Sequence, residues 1–217
     1  MTLFLKNFLL NLLFPPVCLG CKKELTTETY LCHPCFKKLK FYGRLSNLNL
    51  KFVDELNIAG DYDDKSLAAL IKILKFNGVS NAALTLIKFL CLFWQGRAAL
   101  GDTDFLVIPI PLSRKGKRRR GFNQAEILAR GLVKNFNYEI SLELIKIKET
   151  KAQSSLSAKK RAINIKNSFS WQGENLKNRK ILLVDDVVTT GATLEAAGLI
   201  LKANGAKKII ALVVAKG

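Results

Sequence analysis

Apolar residues along this chain occur in two alternating patterns, short continuous runs and longer segments with helical spacing. The continuous runs predict strands at 51–59, 105–109, 143–148, 181–184 and 207–215. The segments with helical spacing predict helices at 66–75, 81–100 and 123–134, and another that begins at Ala192. Strands that alternate with helices of ten or more residues predict an α/β fold, with a mostly parallel sheet flanked by helices.

The segment ILLVDDVVTTGATLEAAG, which begins at Ile181, changes from one pattern to the other within a few residues. Its first four residues are apolar and suit a strand that is buried on both faces. Leu194, Ala197 and Leu201 then repeat at helical spacing, and Gly205 lies where a left-handed cap would end the helix. The polar residues between these elements are therefore predicted to occupy a strand-to-helix turn, where open parallel sheets bind ligands.

This turn offers groups that bind phosphate. A helix N-terminus presents backbone N–H groups and the positive end of its dipole, and a glycine lets the backbone approach an anion closely. Threonine hydroxyls add further donors. The predicted phosphate-binding residues are Thr189, Thr190, Gly191, Ala192 and Thr193.

Two adjacent carboxylates, Asp185 and Asp186, stand just before these residues. Because carboxylates repel phosphate, we expect them to face hydrogen-bond donors such as ribose hydroxyls or the water molecules bound to Mg²⁺. The turn as a whole thus fits a sugar with a 5′-phosphate and vicinal hydroxyls. The alternative is structural, with both carboxylates accepting hydrogen bonds from N–H groups of the loop.

Four cysteines form two C-x-x-C pairs near the N-terminus. They are Cys18 and Cys21, then Cys32 and Cys35. Four thiolates in two chelating pairs suit a closed, tetrahedral structural zinc site. The alternatives are a pair of disulfides, which needs an oxidising compartment, and a site in which His33 replaces one cysteine.

Lysine and arginine outnumber aspartate and glutamate by 35 to 17, which gives a formal charge of +18. This charge favours a polyanionic partner, namely nucleic acid, a phosphorylated small molecule or an acidic membrane surface. The alternative is a surface that is basic all over and has no dedicated partner.

Basic residues fill six of the seven positions from 114 to 120, directly after a predicted strand. Ser113, Arg114 and Lys115 lie nearest to the strand and are candidates for binding a diphosphate. The candidates for nucleic-acid contact are Lys117, Arg118, Arg119 and Arg120. The alternative is a charged loop that only contacts solvent.

The apolar segment at 3–14 is too short to span a bilayer, which takes about 20 residues. It is predicted to form a short amphipathic helix that ends at Pro15 and docks on a domain or a partner. A signal peptide is not expected, because a basic leader and a small-residue cleavage site are missing. The single histidine, His33, excludes a two-histidine metalloprotease helix and disfavours a Ser-His-Asp triad.

The stretch LLVDDVVTTGAT resembles the phosphoribosyl-diphosphate (PRPP) binding motif of type I phosphoribosyltransferases. Three further stretches narrow the resemblance to the competence protein F (ComF, ComFC) family. They are the paired C-x-x-C motifs after LLFPP, the run VIPIPLSRKGKRRRGFNQAEILA, and KETKAQSSLSAKKRAINIKNSF. The resemblance covers nearly the whole chain.

The resemblance implies a type I phosphoribosyltransferase fold with a small N-terminal zinc-binding module. It implies a Mg²⁺-dependent PRPP site at which Asp185 and Asp186 are the catalytic pair, and a diphosphate-side loop in the basic run. The last of the three stretches would form a mobile loop that contains Thr150 and Gln153, together with Leu156.

One residue departs from the family pattern. Relatives commonly carry arginine two positions before the threonine of the mobile loop, whereas this chain has Lys148. Lysine lacks the planar fork with which arginine grips a phosphate through two hydrogen bonds.

The family's association with natural transformation implies a cytoplasmic role in handling single-stranded DNA during uptake. The implied partners are PRPP, single-stranded DNA and DNA-uptake proteins such as a translocase or helicase, and peripheral association with the inner face of the membrane is compatible with this role. Two alternatives stay open. One is a PRPP or nucleotide sensor without turnover, and the other is a phosphoribosyltransferase of nucleotide salvage.

We expect two domains. Residues 1–45 would hold the N-terminal helix and the four-cysteine module, and residues 46–217 the phosphoribosyltransferase-like domain. The expected linker between them is 41–50.

Overall fold

The computed structural model describes residues 17–25, 30–44, 48, 50–77, 81–97, 104–147 and 168–217. The predicted amphipathic helix at 3–14 and the predicted mobile loop from Lys148 to Leu156 lie outside these residues. Within the described part of the chain, no helix has the length and apolar character needed to cross a membrane.

The described residues form eight strands. These are β1 (Gly43–Arg44), β2 (Glu55–Asp61), β3 (Phe105–Pro109), β4 (Glu139–Ile140), β5 (Leu144–Lys146), β6 (Phe169–Trp171), β7 (Lys180–Val188) and β8 (Lys208–Lys216). Six of them make one sheet in the order β1-β2-β8-β7-β3-β4. β1 runs antiparallel to β2, and all other neighbours in this sheet are parallel, which confirms the predicted architecture.

Six helices occur among the described residues. They are α1 (His33–Lys37), α2 (Lys65–Asn77), α3 (Asn81–Gln95), α4 (Arg114–Arg120), α5 (Gln124–Phe136) and α6 (Ala192–Ala203). α2, α3 and α5 pack on one face of the sheet, where Leu182 and Leu212 meet the buried leucines of these helices. We call this the first face.

The other face, here the second face, is covered by α6 and by the β5–β6 pair. Leu194 and Leu201 of α6 pack there with Leu183 and Val213 of the sheet, and Phe169 of β6 joins the same cluster. The two central strands are therefore buried on both sides, as their continuous apolar runs predict.

The four-cysteine segment packs on the first face. Cys18 and Leu31 are buried in the same cluster as the leucines of α2 and α3. A Cβ on Gly20 would lie 3.5 Å from the Ser66 hydroxyl of α2, so the backbone of the module approaches this helix closely. The module is thus joined to the α/β body through apolar contacts as well as through the chain.

The structure corrects the prediction that 143–148 is a strand of the main sheet. β5 instead pairs antiparallel with β6 in a separate two-stranded sheet, in which Leu144 lies opposite Trp171. A short apolar run does not specify its partner, and the partner here comes from a segment that the sequence analysis left unassigned.

The basic run is a helix, α4, and not a loop, which is the form that the family resemblance implies for it and that the charged-loop alternative also assumes. Ser113 caps it by accepting a hydrogen bond from the N–H of Gly116, and Gly121 ends it in a left-handed conformation with φ of 79°. Lysine and arginine are good helix formers, so the two local caps suffice to define this short helix.

Two strand boundaries also differ from the predictions. β7 continues to Val188, so Asp185 and Asp186 lie within the strand and only 189–191 form the turn. The extension follows from the long partner strand β8, which pairs with β7 as far as Val188. β2 starts at Glu55 rather than at 51, because the N–H groups of Lys51 and Phe52 donate to the Glu195 carboxylate instead of to a strand.

Candidate functional site

The four cysteine thiols form one cluster. Their sulfur atoms all lie within 4.8 Å of one another, and the Cys18 sulfur is 3.6 Å from that of Cys32, which is 3.7 Å from that of Cys21. A disulfide needs about 2.05 Å, so these thiols are not paired in disulfides. Tetrahedral zinc with bonds of about 2.3 Å needs sulfurs about 3.8 Å apart, which the observed distances match.

The cluster also has the chemistry of a cation site. Burial raises the pKa of Cys18, but hydrogen bonds from the backbone N–H groups of Cys32, Cys21 and Gly20 outweigh burial and lower this pKa to about 6. The Cys32 thiol, followed by burial, raises the pKa of Cys35 to about 12. The neighbouring thiols thus oppose the ionisation of Cys35, and a bound cation removes that opposition.

His33 begins α1 and is not part of the cysteine cluster. Among the described residues, the potential metal ligands that come together are the four predicted cysteines. The ligand set therefore consists of the four predicted cysteines and does not include the histidine. These four cysteines fit a structural zinc site.

The acid pair lies at the carboxyl end of β7. Side chains of successive strand residues point to opposite faces, and Val184 packs on the first face while Leu183 packs on the second. Asp186 lies on the first face, where its carboxylate meets a residue of α2, and strand alternation directs Asp185 toward the second face. The two carboxyl groups are nevertheless close enough to interact, because the Asp186 carboxylate is one of the groups that raise the pKa of Asp185.

Asp186 is 5 % exposed and forms an ion pair with Lys75, in which the lysine Nζ lies 2.9 Å from Oδ2. Its other oxygen, Oδ1, accepts a hydrogen bond from the N–H of Val187. Sequence analysis did not find Lys75. A lysine in the last turn of an amphipathic helix is common, and nothing in its local sequence signals that α2 ends beside β7.

Asp185 is partly buried, and its Oδ1 accepts a hydrogen bond from the N–H of Asp186. Burial, together with the negative charge of Asp186, holds the pKa of Asp185 well above its usual range. The ionised form of Asp185 is therefore costly in the ligand-free protein, and it becomes favourable when a hydrogen-bond donor or a cation is bound beside it.

This raised pKa predicts a gain in stability on Asp185→Asn. The folded protein holds the Asp185 proton more tightly than the unfolded chain does. The stabilisation that this bound proton provides is complete below the unfolded pKa of about 3.9. It is lost as the pH rises through the raised folded pKa. At pH 7 the amide variant should unfold at a higher temperature than the wild type, and the difference should shrink toward pH 4. Thermal unfolding followed by circular dichroism at both pH values measures it.

The exposed carboxylate variant Glu174→Gln is the control and should change the unfolding temperature little at either pH. A lower unfolding temperature for Asp185→Asn at pH 7 would contradict the proposed cost of ionising Asp185.

The turn after β7 brings the predicted phosphate-binding residues to the same edge. Thr189 and Thr190 are exposed, and Gly191 has a left-handed φ of 76°. The first backbone hydrogen bond of α6 runs from the N–H of Glu195 to the oxygen of Gly191. The N–H groups before Glu195 therefore take no part in the hydrogen bonds of the helix itself. They include those of Ala192 and Thr193.

Glycine at 191 is required for a second reason. A Cβ there would lie 2.7 Å from a methyl carbon of Leu50, which packs across the turn. The segment that contains Leu50 is held in place by the bonds from Lys51 and Phe52 to Glu195, at 2.9 and 3.1 Å. A residue from the predicted linker thus shapes the turn, and only the folded chain reveals it.

The segment after β3 reaches the same edge, because β3 and β7 are neighbours. The N–H of Ile110 donates to the oxygen of Val184 at 2.9 Å, one residue before Asp185. Asn123 fixes this segment by donating from Nδ2 to the oxygen of Ile110, while its Oδ1 accepts from Ala125 and caps α5. This double role explains the asparagine in the local motif RGFNQ.

Ser113, Arg114 and Lys115, the candidates for binding a diphosphate, lie at the start of α4, four residues or more after the end of β3. The remaining basic residues extend away from this point. Arg118 and Arg119 are exposed, whereas Arg120 donates to the Gln124 side chain at 3.0 Å. Arg120 is therefore partly engaged in the fold and is the weakest of the four nucleic-acid candidates.

Comparison with known proteins adds two domain matches. Residues 116–217 match the model of the phosphoribosyl transferase domain family, and residues 9–46 match that of the double zinc ribbon domain. The first match contains the acid pair and the phosphate-binding turn, and the second contains the four cysteines.

Whole-length relatives are also found. The chain is 32 % identical to "Competence protein F" of Haemophilus influenzae over 201 residues, which cover 89 % of this chain and 87 % of the relative. It is 34 % identical to "DNA utilization protein YhgH" of Escherichia coli O157:H7 over 196 residues, which cover 89 % and 81 %. It is 35 % identical to "Competence protein ComFC" of Bacillus subtilis over 104 residues, 48 % of this chain and 41 % of that relative.

Proposed function

This chain belongs to the competence protein F (ComF) family, and we propose that it binds PRPP with Mg²⁺ and handles single-stranded DNA in the cytoplasm during natural transformation. The PRPP part of this proposal is supported mainly by three segments that meet at the carboxyl ends of the sheet's parallel strands. They are the acid pair of β7, the turn that begins at Thr189, and the segment from Ile110 to Lys115.

Each segment has one task in this proposal. The turn and the first N–H groups of α6 bind the 5′-phosphate through directed donors and the helix dipole. Asp185 and Asp186 accept hydrogen bonds from the ribose hydroxyls, which brings the anomeric carbon toward the end of β3. Ser113, Arg114 and Lys115 bind the diphosphate there.

The acid pair is also where Mg²⁺ would be held, because carboxylate oxygens are the ligands that this hard cation prefers. When bound, Mg²⁺ supplies positive charge that neutralises the diphosphate. Lys75 already neutralises Asp186 on the first face, so Asp185 is the carboxylate with more to gain from a cation.

With an acceptor present, this arrangement supports phosphoribosyl transfer. The bond from the anomeric carbon to the diphosphate oxygen breaks and the bonding electrons leave with the diphosphate. A bond from the acceptor forms at that carbon, and the proton that the acceptor loses passes to solvent. Arg114 and Lys115 stabilise the charge that develops on the leaving diphosphate. The acid pair fixes the sugar so that the acceptor meets the reacting carbon.

Diphosphate release tests whether transfer takes place. The protein is incubated with PRPP and Mg²⁺ alone, with each of a panel of nucleobases, and with single-stranded DNA, while PRPP binding is measured separately by calorimetry. Release that depends on one acceptor supports the transferase. Binding without release supports the sensor, and absence of binding contradicts the PRPP site.

The DNA part of the proposal is supported by relatives and by charge. The relatives carry the names competence protein and DNA utilization protein. The exposed arginines of α4 add a dense positive surface that follows the diphosphate candidates along the helix. In the cytoplasm, this surface would receive a strand from a translocase or helicase of the uptake machinery, and peripheral association with the membrane would keep the protein close to it.

The salt dependence of DNA binding should reveal this surface. Each phosphate contact on a single strand contributes about 0.7 to the slope of log affinity against log salt, so Arg118→Ala with Arg119→Ala should flatten the slope by about 1.4. Fluorescence anisotropy of a labelled single strand over a salt series measures it. The control is Lys37→Ala with Lys38→Ala on the zinc module, where both lysines are also exposed. Equal slopes for the two double variants would mean that DNA contacts the basic surface without preference.

A further inference from the structure

The segment 50–54, which precedes β2, lies along α6 from the N-cap of this helix to its last turn. We call this segment the strap. It contacts four positions of α6 that follow one another at intervals of three and four residues, so that they lie on one side of the helix. These positions are Gly191, Glu195, Gly198 and Lys202.

The strap is fixed firmly at its second half. Oδ2 of Asp54 lies 2.7 Å from Nζ of Lys202, and the same oxygen accepts a hydrogen bond of 2.7 Å from the N–H of Ile209. A Cβ on Gly198 would lie 2.6 Å from the carbonyl oxygen of Phe52. The backbones of strap and helix therefore pack directly on each other, and the strap belongs to the rigid body of the fold.

Glu195 fixes the first half of the strap, which is the half next to the phosphate-binding turn. Its two carboxylate oxygens each accept one hydrogen bond, from the N–H groups of Lys51 and Phe52, at 2.9 and 3.1 Å. The residue before them, Leu50, covers Gly191, which is buried and has a left-handed φ of 76°. Glu195 thus holds in place the side chain that packs on the turn.

The charge of Glu195 is unfavourable for the proposed ligand. This carboxylate lies in the first turn of α6, the helix end at which the 5′-phosphate would bind. Two negative groups so close together repel each other, so charge alone would favour a neutral residue here. A turn that is already ordered gives a compensating gain, because the ligand then does not have to order the backbone on binding.

We propose that Glu195 is a positioning residue for the phosphate site, and that it holds the strap against Gly191 so that the turn has its binding conformation before the ligand arrives. This inference rests on the phosphate part of the proposed PRPP site. Order in the strap and binding of phosphate then support each other, since a coupling between two such events is reciprocal.

The test measures the affinity for ribose 5-phosphate, which carries the sugar and the phosphate without the diphosphate, by titration calorimetry. Glu195→Gln keeps the shape of the side chain, removes its charge and replaces one accepting oxygen by a donor. If only charge mattered, this variant would bind more tightly. We expect it to bind about tenfold more weakly, the equivalent of ordering roughly one backbone residue on binding. Leu50→Ala, which keeps the charge and the hydrogen bonds, should also weaken binding.

Hydrogen exchange separates a positioning role from a general loss of stability. In the wild type, saturating ribose 5-phosphate should slow exchange at the amides of Lys51 and Phe52 more than it slows exchange in α5. In Glu195→Gln the same two amides should exchange faster without ligand, while α5 keeps its protection.

Glu139→Gln is the matched control. It also removes one hydrogen-bonded carboxylate, which contacts Arg179 at 2.6 Å, but at the amino end of the sheet. This variant should bind ribose 5-phosphate as the wild type does. Unchanged or tighter binding by Glu195→Gln, or a strap whose exchange does not respond to the ligand, would overturn the inference and leave the phosphate site in place. A wild type that binds neither ribose 5-phosphate nor PRPP would overturn the proposed PRPP site as well.

Discussion

Replacing Asp185 and Asp186 together by alanine should weaken the binding of Mg²⁺ and PRPP by about 100-fold or more. Each carboxylate is assigned a charge-assisted hydrogen bond to a ribose hydroxyl or to Mg²⁺-bound water, and such bonds are each worth about 1.5–3 kcal/mol. Titration calorimetry with PRPP in the presence of Mg²⁺ measures the change.

The double variant should keep its fold, because the acid pair lies at the edge of the sheet and the helices pack through apolar contacts. Lys75 loses its partner Asp186 but is 24 % exposed and can reach water. Circular dichroism should therefore retain the helical signal. Unchanged PRPP affinity in a folded double variant would refute the assignment of the acid pair.

Two carboxylates at the opposite end of the strands of the same sheet provide a matched control. Asp104 precedes β3 and Glu139 begins β4, and both carboxylates contact Arg179, at 3.5 and 2.6 Å. Replacing both by alanine removes the same net charge from the sheet at its amino end. This control should bind PRPP as the wild type does, so that an equal loss in both double variants would point to a general charge effect.

Loss of zinc should also have a large effect, in this case on the stability of the N-terminal module. Purified protein should contain about one zinc per chain, and Cys18→Ser or Cys32→Ser should lower the metal content to near zero. Structural zinc contributes directly to folding, so the module at 17–44 should lose stability with the metal. Elemental analysis by mass spectrometry gives the metal content, and thiol mass spectrometry gives the redox state.

Cys91→Ser is the control for the cysteine variants. Cys91 lies on α3, outside the metal cluster, and burial raises its pKa to about 11. This variant should keep its zinc. Stoichiometric disulfides without metal in the wild type would contradict the zinc site, as would equal metal loss on Cys91→Ser.

The loss of zinc should also lower the local stability of the α/β body. Cys18 and Leu31 are buried against α2 and α3, and a cysteine pair that loses its cation loses the geometry that holds them there. We therefore expect the helices of the first face to become more open to hydrogen exchange in the cysteine variants than in the Cys91 control.

Features that depend on neighbouring residues were predictable. The C-x-x-C spacing alone predicts that two sulfurs converge from each pair, and the structure brings all four together. Gly205 was expected to have a left-handed conformation at the end of a helix and has φ of 93°. The strand at 105–109 was found with its observed bounds, because its apolar run is short, begins directly after Asp104 and ends at Pro109.

Features that depend on the partner of a segment were not predictable. Neither the pairing of β5 with β6 nor the end of β7 could be predicted, because a strand's neighbour decides where its pairing stops. The helical state of α4 was also missed, since a run of like charges in sequence does not show that Ser113 and Gly121 cap it.

Residue types alone specify the chemical groups of this protein, namely four thiols, an acid pair, a glycine turn and a basic run, because each is a short motif whose residues act locally. What these motifs contact depends on the folded chain. The fold brings Lys75 to Asp186 and Leu50 to Gly191, in both cases from segments far apart in the chain. Such contacts arise from the packing of whole helices and strands, which local residue patterns do not specify.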